Sequence, residues 1–310
     1  MTETKFPHKH LIGIQDLSAD DIRLILDRAN DYADDMDKNN YPHDLLKDKI
    51  ILTLFFEDST RTQTSFDIAA KRLGAQVVNL NVKTSSQNKG ETFEDTIHTL
   101  NAMRPDCIIM RHHEHGAPVV VAKMVDCPVI NAGDSWREHP TQALLDALTI
   151  QRKIGDVASK NIAMIGDIAH SRVANSNMHI FSKLGANITV IAPEILMPQK
   201  FPIDNIKTST NLIEGLNNID IVISDRIYLE RMEGSPIKSE AGYFEEFGLT
   251  KEKLKHANDG VILLAPGPII RGVQMDDAVA DDKDNTLILE QVKNGVPTRM
   301  AVMALLMEGE

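Results

Sequence analysis

Short runs of apolar, largely β-branched residues recur along the chain, and most are followed by a stretch with helical spacing. In the first half they are IILTLFF (residues 50–56), VVNLNV from Val77, CIIMRH from Cys107 and PVINAG from Pro128. The second half repeats the pattern with NIAMIGD from Asn161, NITVIAP from Asn187, DIVISD from Asp220 and VILLAPGP from Val261. Strands that are apolar throughout, alternating with helices, are covered on both faces, which is the signature of parallel sheets. The pattern predicts an α/β protein of two doubly wound domains, each a central parallel sheet flanked by helices. The expected division is 1–150 and 151–294, with a final helix over 295–310 packing back on the first domain.

The polar residues punctuate this pattern. Ser18 can cap a first helix, with Asp20 and Asp21 in its opening turn, where carboxylates meet the positive end of the helix dipole. Between the two strand sets, HPTQALLDALTIQRKIGD places Leu144, Leu145, Leu148 and Ile150 on one face of a helix joining the domains, with Gly155 as its stop. In PTRMAVMALLMEG, Pro297 is expected in the first turn of the last helix. The Met300, Val302, Met303, Leu305 and Leu306 stripe after it is read as core.

The net charge of −12 argues against a nucleic-acid surface, which needs a basic face. Any anionic ligand must then be met by locally gathered arginine and lysine. Cys107 and Cys127 sit in apolar contexts without CxxC spacing and read as buried thiols in a reducing compartment. No run approaches the ~18 apolar residues of a membrane span, and the amino terminus lacks the apolar core of a signal peptide. The expectation is a cytoplasmic protein that engages no membrane.

One such gathering is FFEDSTRTQTSF, residues 55–66. A strand ends here, and Ser59 or Thr60 opens a helix running through Phe66, Ala69, Ala70 and Leu73 to a stop at Gly74. A helix start at the carboxyl edge of a parallel sheet presents free backbone N–H groups to an anion. Hydroxyls of Ser59, Thr60 and Thr62 and the planar fork of Arg61 add further donors. There is no GxxxxGK[ST] loop and no GxGxxG, so a small phosphate compound is favoured over a nucleotide. Three other polar clusters fall at loops or strand ends. SSQNKGET offers Ser85, Ser86 and Lys89, RHHEHGA offers Arg111, and GDSWREHPTQ offers His139 and Gln142 at a helix start. His112, His113 and His115 lack i, i+4 spacing and a nearby thiol, so they are not read as metal ligands. A neutral His139 could donate one hydrogen bond to a carbonyl oxygen.

Taken together and in order, STRT, SSxxKGET, RHxxxGA, HPTQ, GDIxHSRV and PGP resemble the aspartate carbamoyltransferase catalytic chain over about residues 8–307. The resemblance implies transfer of the carbamoyl group of carbamoyl phosphate to L-aspartate, giving N-carbamoyl-L-aspartate and phosphate, an early step of pyrimidine synthesis. It assigns Ser59, Thr60, Arg61 and Thr62 to the phosphate, and Thr62, Arg111, His139 and Gln142 to the carbamoyl group. Ser85 and Lys89 would reach in from a neighbouring chain of a homotrimer with shared sites. Arg172 and Arg226 would clamp the two carboxylates of aspartate, with Gly267 and Pro268 lining the substrate. Closure of the two domains would bring the substrates together. No metal, cofactor or covalent intermediate is implied, and association with regulatory chains stays open.

Three positions depart from the family pattern: Gln63 where a second arginine is usual, Ala265 where HPGP or HPLP is common, and Tyr228 in place of a frequent glutamine near the aspartate amine. Aspartate affinity is the property these put most in question. An ornithine carbamoyltransferase would share the phosphate half, but it would show HPCQ, a late cysteine loop and an SMG motif, and this chain has HPTQ and no cysteine after Cys127. A non-catalytic relative is disfavoured by retention of Arg61, Lys89, Arg111, His139, Arg172 and Arg226 together, and a nicotinamide dehydrogenase by the missing glycine fingerprint.

Overall fold

The structure is a computed structural model that describes residues 6–80, 91–228 and 239–308. The chain divides into two compact units, residues 1–148 with 293–310 and residues 149–292. In the first unit the elements are α1 (Ala19–Asp37), β1 (Ile50–Phe55), α2 (Thr60–Arg72), β2 (Gln76–Leu80), α3 (Phe93–Ala102), β3 (Cys107–His112), α4 (Ala117–Met124), β4 (Val129–Asp134) and α5 (Pro140–Ile154), whose last residues pass into the second unit. The second unit continues with β5 (Asn161–Ile165), α6 (Arg172–Lys183), β6 (Asn187–Ile191), β7 (Lys207–Ser209), α7 (Leu212–Leu216) and β8 (Ile221–Ser224). Then come α8 (Glu240–Phe247), α9 (Lys251–Leu254), β9 (Ile262–Leu264), α10 (Asp277–Ala280) and α11 (Ile288–Met307), which ends in the first unit.

Both sheets are parallel among the described residues, in the orders β2-β1-β3-β4 and β7-β6-β5-β8-β9. Each order reverses once. From β1 the chain steps outward to β2 and then returns to the other side with β3; from β5 it steps out through β6 and β7 and returns with β8. In open α/β sheets such a reversal leaves a crevice at the carboxyl ends of the two central strands, because the helices after them lie on opposite faces.

The strands are buried as their composition requires. Leu52, Leu54, Ile108 and Met110 point to one face, where Ile97 and Leu100 of α3 and Val121 of α4 cover them. On α2, Phe66, Ala69 and Ala70 are fully buried, a spacing of three and four residues that puts them on one stripe. Burial of a side chain such as Phe66 contributes about 1.5–3 kcal/mol. Cys107 and Cys127 are free thiols in this core. Ser18 caps α1 in a capping box with Asp21, and Gly155, just after α5, has a left-handed backbone.

Two sequence expectations need correction. The last helix does not open at Pro297: α11 starts at Ile288, and the proline lies in its interior. There it withholds the amide that would bond Lys293 O. Side chains are drawn into the next turn, Thr298 Oγ1 donating to Asn294 O (2.8 Å) and Arg299 Nη1 to Gly295 O (2.9 Å). The helix also runs through Asn294 and Gly295, a pair that reads as a breaker. The guanidinium folds so closely onto position 295 that a Cβ there would lie 2.6 Å from Arg299 Nη1. Second, β7 has no counterpart among the predicted strands. Its three residues, KTS, are too few and too polar to register as a run, and pairing with β6 alone makes them a strand.

Candidate active site

In the first unit, β1, β3 and β4 are adjacent, so the segments after these three strands emerge at the same sheet edge. Ser59 is the N-cap residue of α2, with Thr60, Arg61 and Thr62 in its first turn. Thr62 is buried and Arg61 exposed, and Arg61 forms no ion pair among the described residues. Arg111 is paired in register with Phe55 near the end of β3. Glu57 Oε2 stands 3.1 Å from its Nε, and its Nη1 donates to Ala132 O at 3.2 Å. The strand-end carboxylate and a β4 carbonyl therefore fix the guanidinium at the reversal between β1 and β3. Gln63, which replaces the usual arginine, points its amide to Asn79 Oδ1 (3.2 Å).

His139 immediately precedes α5 and is buried. Its approach loop hangs on three buried polar residues. Asp134 Oδ1 accepts from Asn131 Nδ2 (2.9 Å) and Glu138 N (3.1 Å), and Asp134 Oδ2 accepts from Gly116 N (3.1 Å). The Glu138 carboxylate accepts from the amides of Ile14 and Gln15, tying the loop to the amino-terminal segment. Asp134→Ala strands the amides of Gly116 and Glu138, while Asn131 Nδ2 keeps Ile12 O (2.8 Å), and leaving such groups unsatisfied in the interior costs about 1–3 kcal/mol each. The variant is expected to lose about 3 kcal/mol in urea denaturation. A loss below about 1 kcal/mol would mean that the network does not hold the loop.

Gln142, in the first turn of α5, donates from Nε2 to Asp146 Oδ1 at 2.8 Å. Asp146 is fully buried. Burial holds the Arg299 guanidinium down to about 10, with the Asp146 carboxylate opposing that shift, and the guanidinium lies 4.9 Å over the Phe66 ring of α2. Through Arg299, the helix that carries Gln142 and the helix that opens at Ser59 share one buried support.

Two of the histidines of RHHEHGA, His112 and His113, lie in an aromatic cluster. His112 accepts from Glu114 N at Nδ1 (2.9 Å), stacks on His113 at 4.4 Å and packs against Phe56 and Phe93. Burial, aided by His113, lowers its pKa, so the ring sits neutral in an aromatic cluster. Among the described residues, no group of three or more His, Cys, Asp and Glu side chains is arranged to hold a metal ion.

In the second unit the corresponding reversal lies between β5 and β8. Gly166 leaves β5 with φ +132°, and a Cβ there would lie 2.3 Å from Asp225 O, so only glycine lets the two strand exits approach. Ser171 caps α6 by accepting from Ala174 N, and Arg172, buried, is the first residue of that helix. Arg226 comes shortly after β8, half-buried, with its guanidinium 4.3 Å from the Tyr228 ring centroid. Beneath them lie two buried carboxylates. Asp225 accepts from Ser171 Oγ, Tyr228 OH and Arg226 N; Asp167 accepts from His170 and from Tyr228 N. Burial raises the pKa of both acids, with their hydrogen bonds opposing, and the nearby Tyr243 phenol is pushed up by burial and by both carboxylates.

After β9, Ala265 N donates to Gln291 Oε1 (2.9 Å) and Ile270 N to Gln274 Oε1 (2.7 Å), so two buried glutamines hold the loop that bears Gly267 and Pro268, whose peptide bond is cis. Gly267 and Pro268 are exposed at its tip. Ser85 and Lys89 lie outside the described residues. The supporting residues Glu57, Asn131, Asp134, Glu138, Asp146, Asp225 and Arg299 went unnoticed in the sequence. Glu57 beside STRT, Asp134 and Glu138 on the amino side of HPTQ, and Asp225 at the end of DIVISD carried a positional signal and no more.

Two doubly wound units, each with arginine and hydroxyl donors gathered at the reversal of strand order, define a protein that binds small anions. Residues 9–152 match the carbamoyl-phosphate-binding domain of aspartate/ornithine carbamoyltransferases, and residues 158–306 match the Asp/Orn-binding domain. The chain belongs to the aspartate/ornithine carbamoyltransferase family. It is 48% identical to the aspartate carbamoyltransferase catalytic subunit of Parvibaculum lavamentivorans, covering 96% of this chain and 91% of that one. To that of Rhodospirillum rubrum it is 46% identical, over 97% and 95% of the two chains. Among solved structures, aspartate transcarbamoylase of Trypanosoma cruzi in complex with carbamoyl phosphate aligns with a TM-score of 0.85 at 30% identity, covering 95% of each chain. Ornithine carbamoyltransferase of Pyrococcus furiosus aligns at 0.90 with 28% identity, over 99% of each. The fold is thus common to both activities. Aspartate is favoured by the sequence relatives.

Proposed function

We propose that the chain carries out its reaction, carbamoyl phosphate plus L-aspartate giving carbamoyl aspartate and phosphate, with the donors at the two strand reversals. The activity is aspartate carbamoyltransfer, as in the relatives it matches at 46–48% identity. The single observation that carries the division of labour is topological: in each unit taken alone, the arginine-bearing segments come at or after the ends of the two strands that flank the reversal.

Carbamoyl phosphate is bound by the first unit and aspartate by the second, in keeping with the two family domains matched. The α2 amides, Ser59, Thr60, Arg61 and Thr62 hold the phosphate. Thr62, Arg111 and His139 donate to the carbamoyl oxygen and Gln142 to the same group. Two guanidinium groups, Arg172 and Arg226, meet the two carboxylates, with the Gly267–Pro268 loop beside them. The aspartate amine attacks the carbamoyl carbon, the C–O bond to phosphate breaks after an oxyanion forms, and the departing phosphate accepts the amine proton. Donors aimed at that oxyanion supply the electrostatic part of the rate, and holding both substrates supplies the rest. Ser85 and Lys89 complete the phosphate site from a neighbouring chain of a cytoplasmic homotrimer; this part rests on the family resemblance.

Colorimetric detection of the ureido product, with L-aspartate and L-ornithine offered as alternative amines, tests the reading. Product from aspartate and none from ornithine is expected. Turnover of ornithine at a comparable rate would overturn the assignment of the two arginines, since ornithine has one carboxylate where aspartate has two and leaves the second guanidinium facing no anion.

A further inference from the structure

Tyr228 occupies the position where the family pattern leads one to expect a glutamine that serves the aspartate amine. Its surroundings give it other work. Its ring face lies 4.3 Å beneath the Arg226 guanidinium carbon, and its hydroxyl donates to Asp225 Oδ1 at 2.8 Å. The residue is 7% exposed, so the phenol oxygen is turned inward to a carboxylate and away from solvent. That carboxylate accepts from Ser171 Oγ as well, and Ser171 is the N-cap residue whose next neighbour is Arg172. Asp225 N also donates to Ile165 O (2.7 Å), and Tyr228 N to Asp167 Oδ2 (3.3 Å), both on the β5 side. One buried carboxylate therefore links the segment that carries Arg172 to the aromatic platform that carries Arg226.

We propose that Tyr228 is a positioning residue for dicarboxylate binding: its ring seats the Arg226 guanidinium, and its hydroxyl, anchored on Asp225, fixes that seat relative to the start of α6. The proposal rests on the assignment of Arg172 and Arg226 as the carboxylate clamp. An aromatic face orients the planar cation by contact with its flat side, a contact that uses none of its N–H groups and that a glutamine side chain cannot make.

Succinate, aspartate without its amine, separates this role from direct contact with the nucleophile. In Tyr228→Leu, the KM for aspartate and the inhibition constant of succinate are expected to rise together, each about tenfold, the order of a lost cation–π seat. The KM for carbamoyl phosphate should stay within about twofold. Tyr228→Phe keeps the ring and loses only the anchor, so a smaller parallel rise of about threefold is expected, and it serves as the readout should the leucine variant fold poorly. A rise for aspartate without one for succinate would overturn the proposal in favour of contact with the amine. An unchanged aspartate KM in Tyr228→Leu, alongside a rise of about 100-fold in Arg226→Ala, would overturn it while leaving the clamp intact. If Arg226→Ala itself leaves aspartate KM unchanged, the clamp assignment falls, and the proposal with it.

Discussion

Arg61→Ala is expected to lower kcat by about 1000-fold, the upper range for loss of one preorganised donor to developing charge. Arg61 is the charged member of the α2 opening turn, and the leaving phosphate gains negative charge as the C–O bond breaks. The loss should therefore fall on turnover more than on substrate affinity. Because the side chain is exposed and forms no ion pair among the described residues, its removal should leave the stability in urea within about 0.5 kcal/mol of the parent. Steady-state kinetics at saturating aspartate, with denaturation as a control, decide the matter. A folded variant with kcat within about tenfold of the parent would remove Arg61 from the phosphate site.

Arg172→Gln is expected to act on the other substrate. The guanidinium is buried at the first residue of α6, and its proposed partner is a carboxylate; a charge-assisted, two-point pair of this kind is worth about 3 kcal/mol, or roughly 100-fold in affinity. The KM for aspartate should rise by about that factor, while equilibrium binding of carbamoyl phosphate, measured calorimetrically, stays close to the parent value. Glutamine keeps much of the volume and some hydrogen bonding, so the core should not collapse. An aspartate KM within about threefold of the parent would place the carboxylates elsewhere.

Much of the architecture is legible in the residue pattern. A β-branched run such as IILTLFF, apolar at consecutive positions, is covered on both faces, and that alone implies parallel sheets between helix layers. STRT and HPTQ stand out because hydroxyl and imidazole side chains directly after such runs must lie at a strand end. Pro297 misleads because a proline's preference for a first turn is a local statistic. Whether a helix tolerates one in its interior is settled by the packing of the whole element, here the buried face of Met300, Ala301, Met303 and Ala304 that follows the proline. Tyr228 is legible as a departure from the family pattern. Its partners are not.

The chain's own pattern of apolar runs and punctuating glycines and caps determined the element types, the two-unit organisation and the donors available, because these depend on periods of two and 3.6 residues and on short-range capping. Only the tertiary structure decided the strand orders, and hence which segments emerge beside one another. Segments as distant in sequence as Ser171 and Tyr228 converge on Asp225, and Gln142 meets an Asp146 whose charge also acts on the buried Arg299. Such pairings are set by how buried polar groups must be satisfied once water is excluded, a constraint that exists only in the folded core.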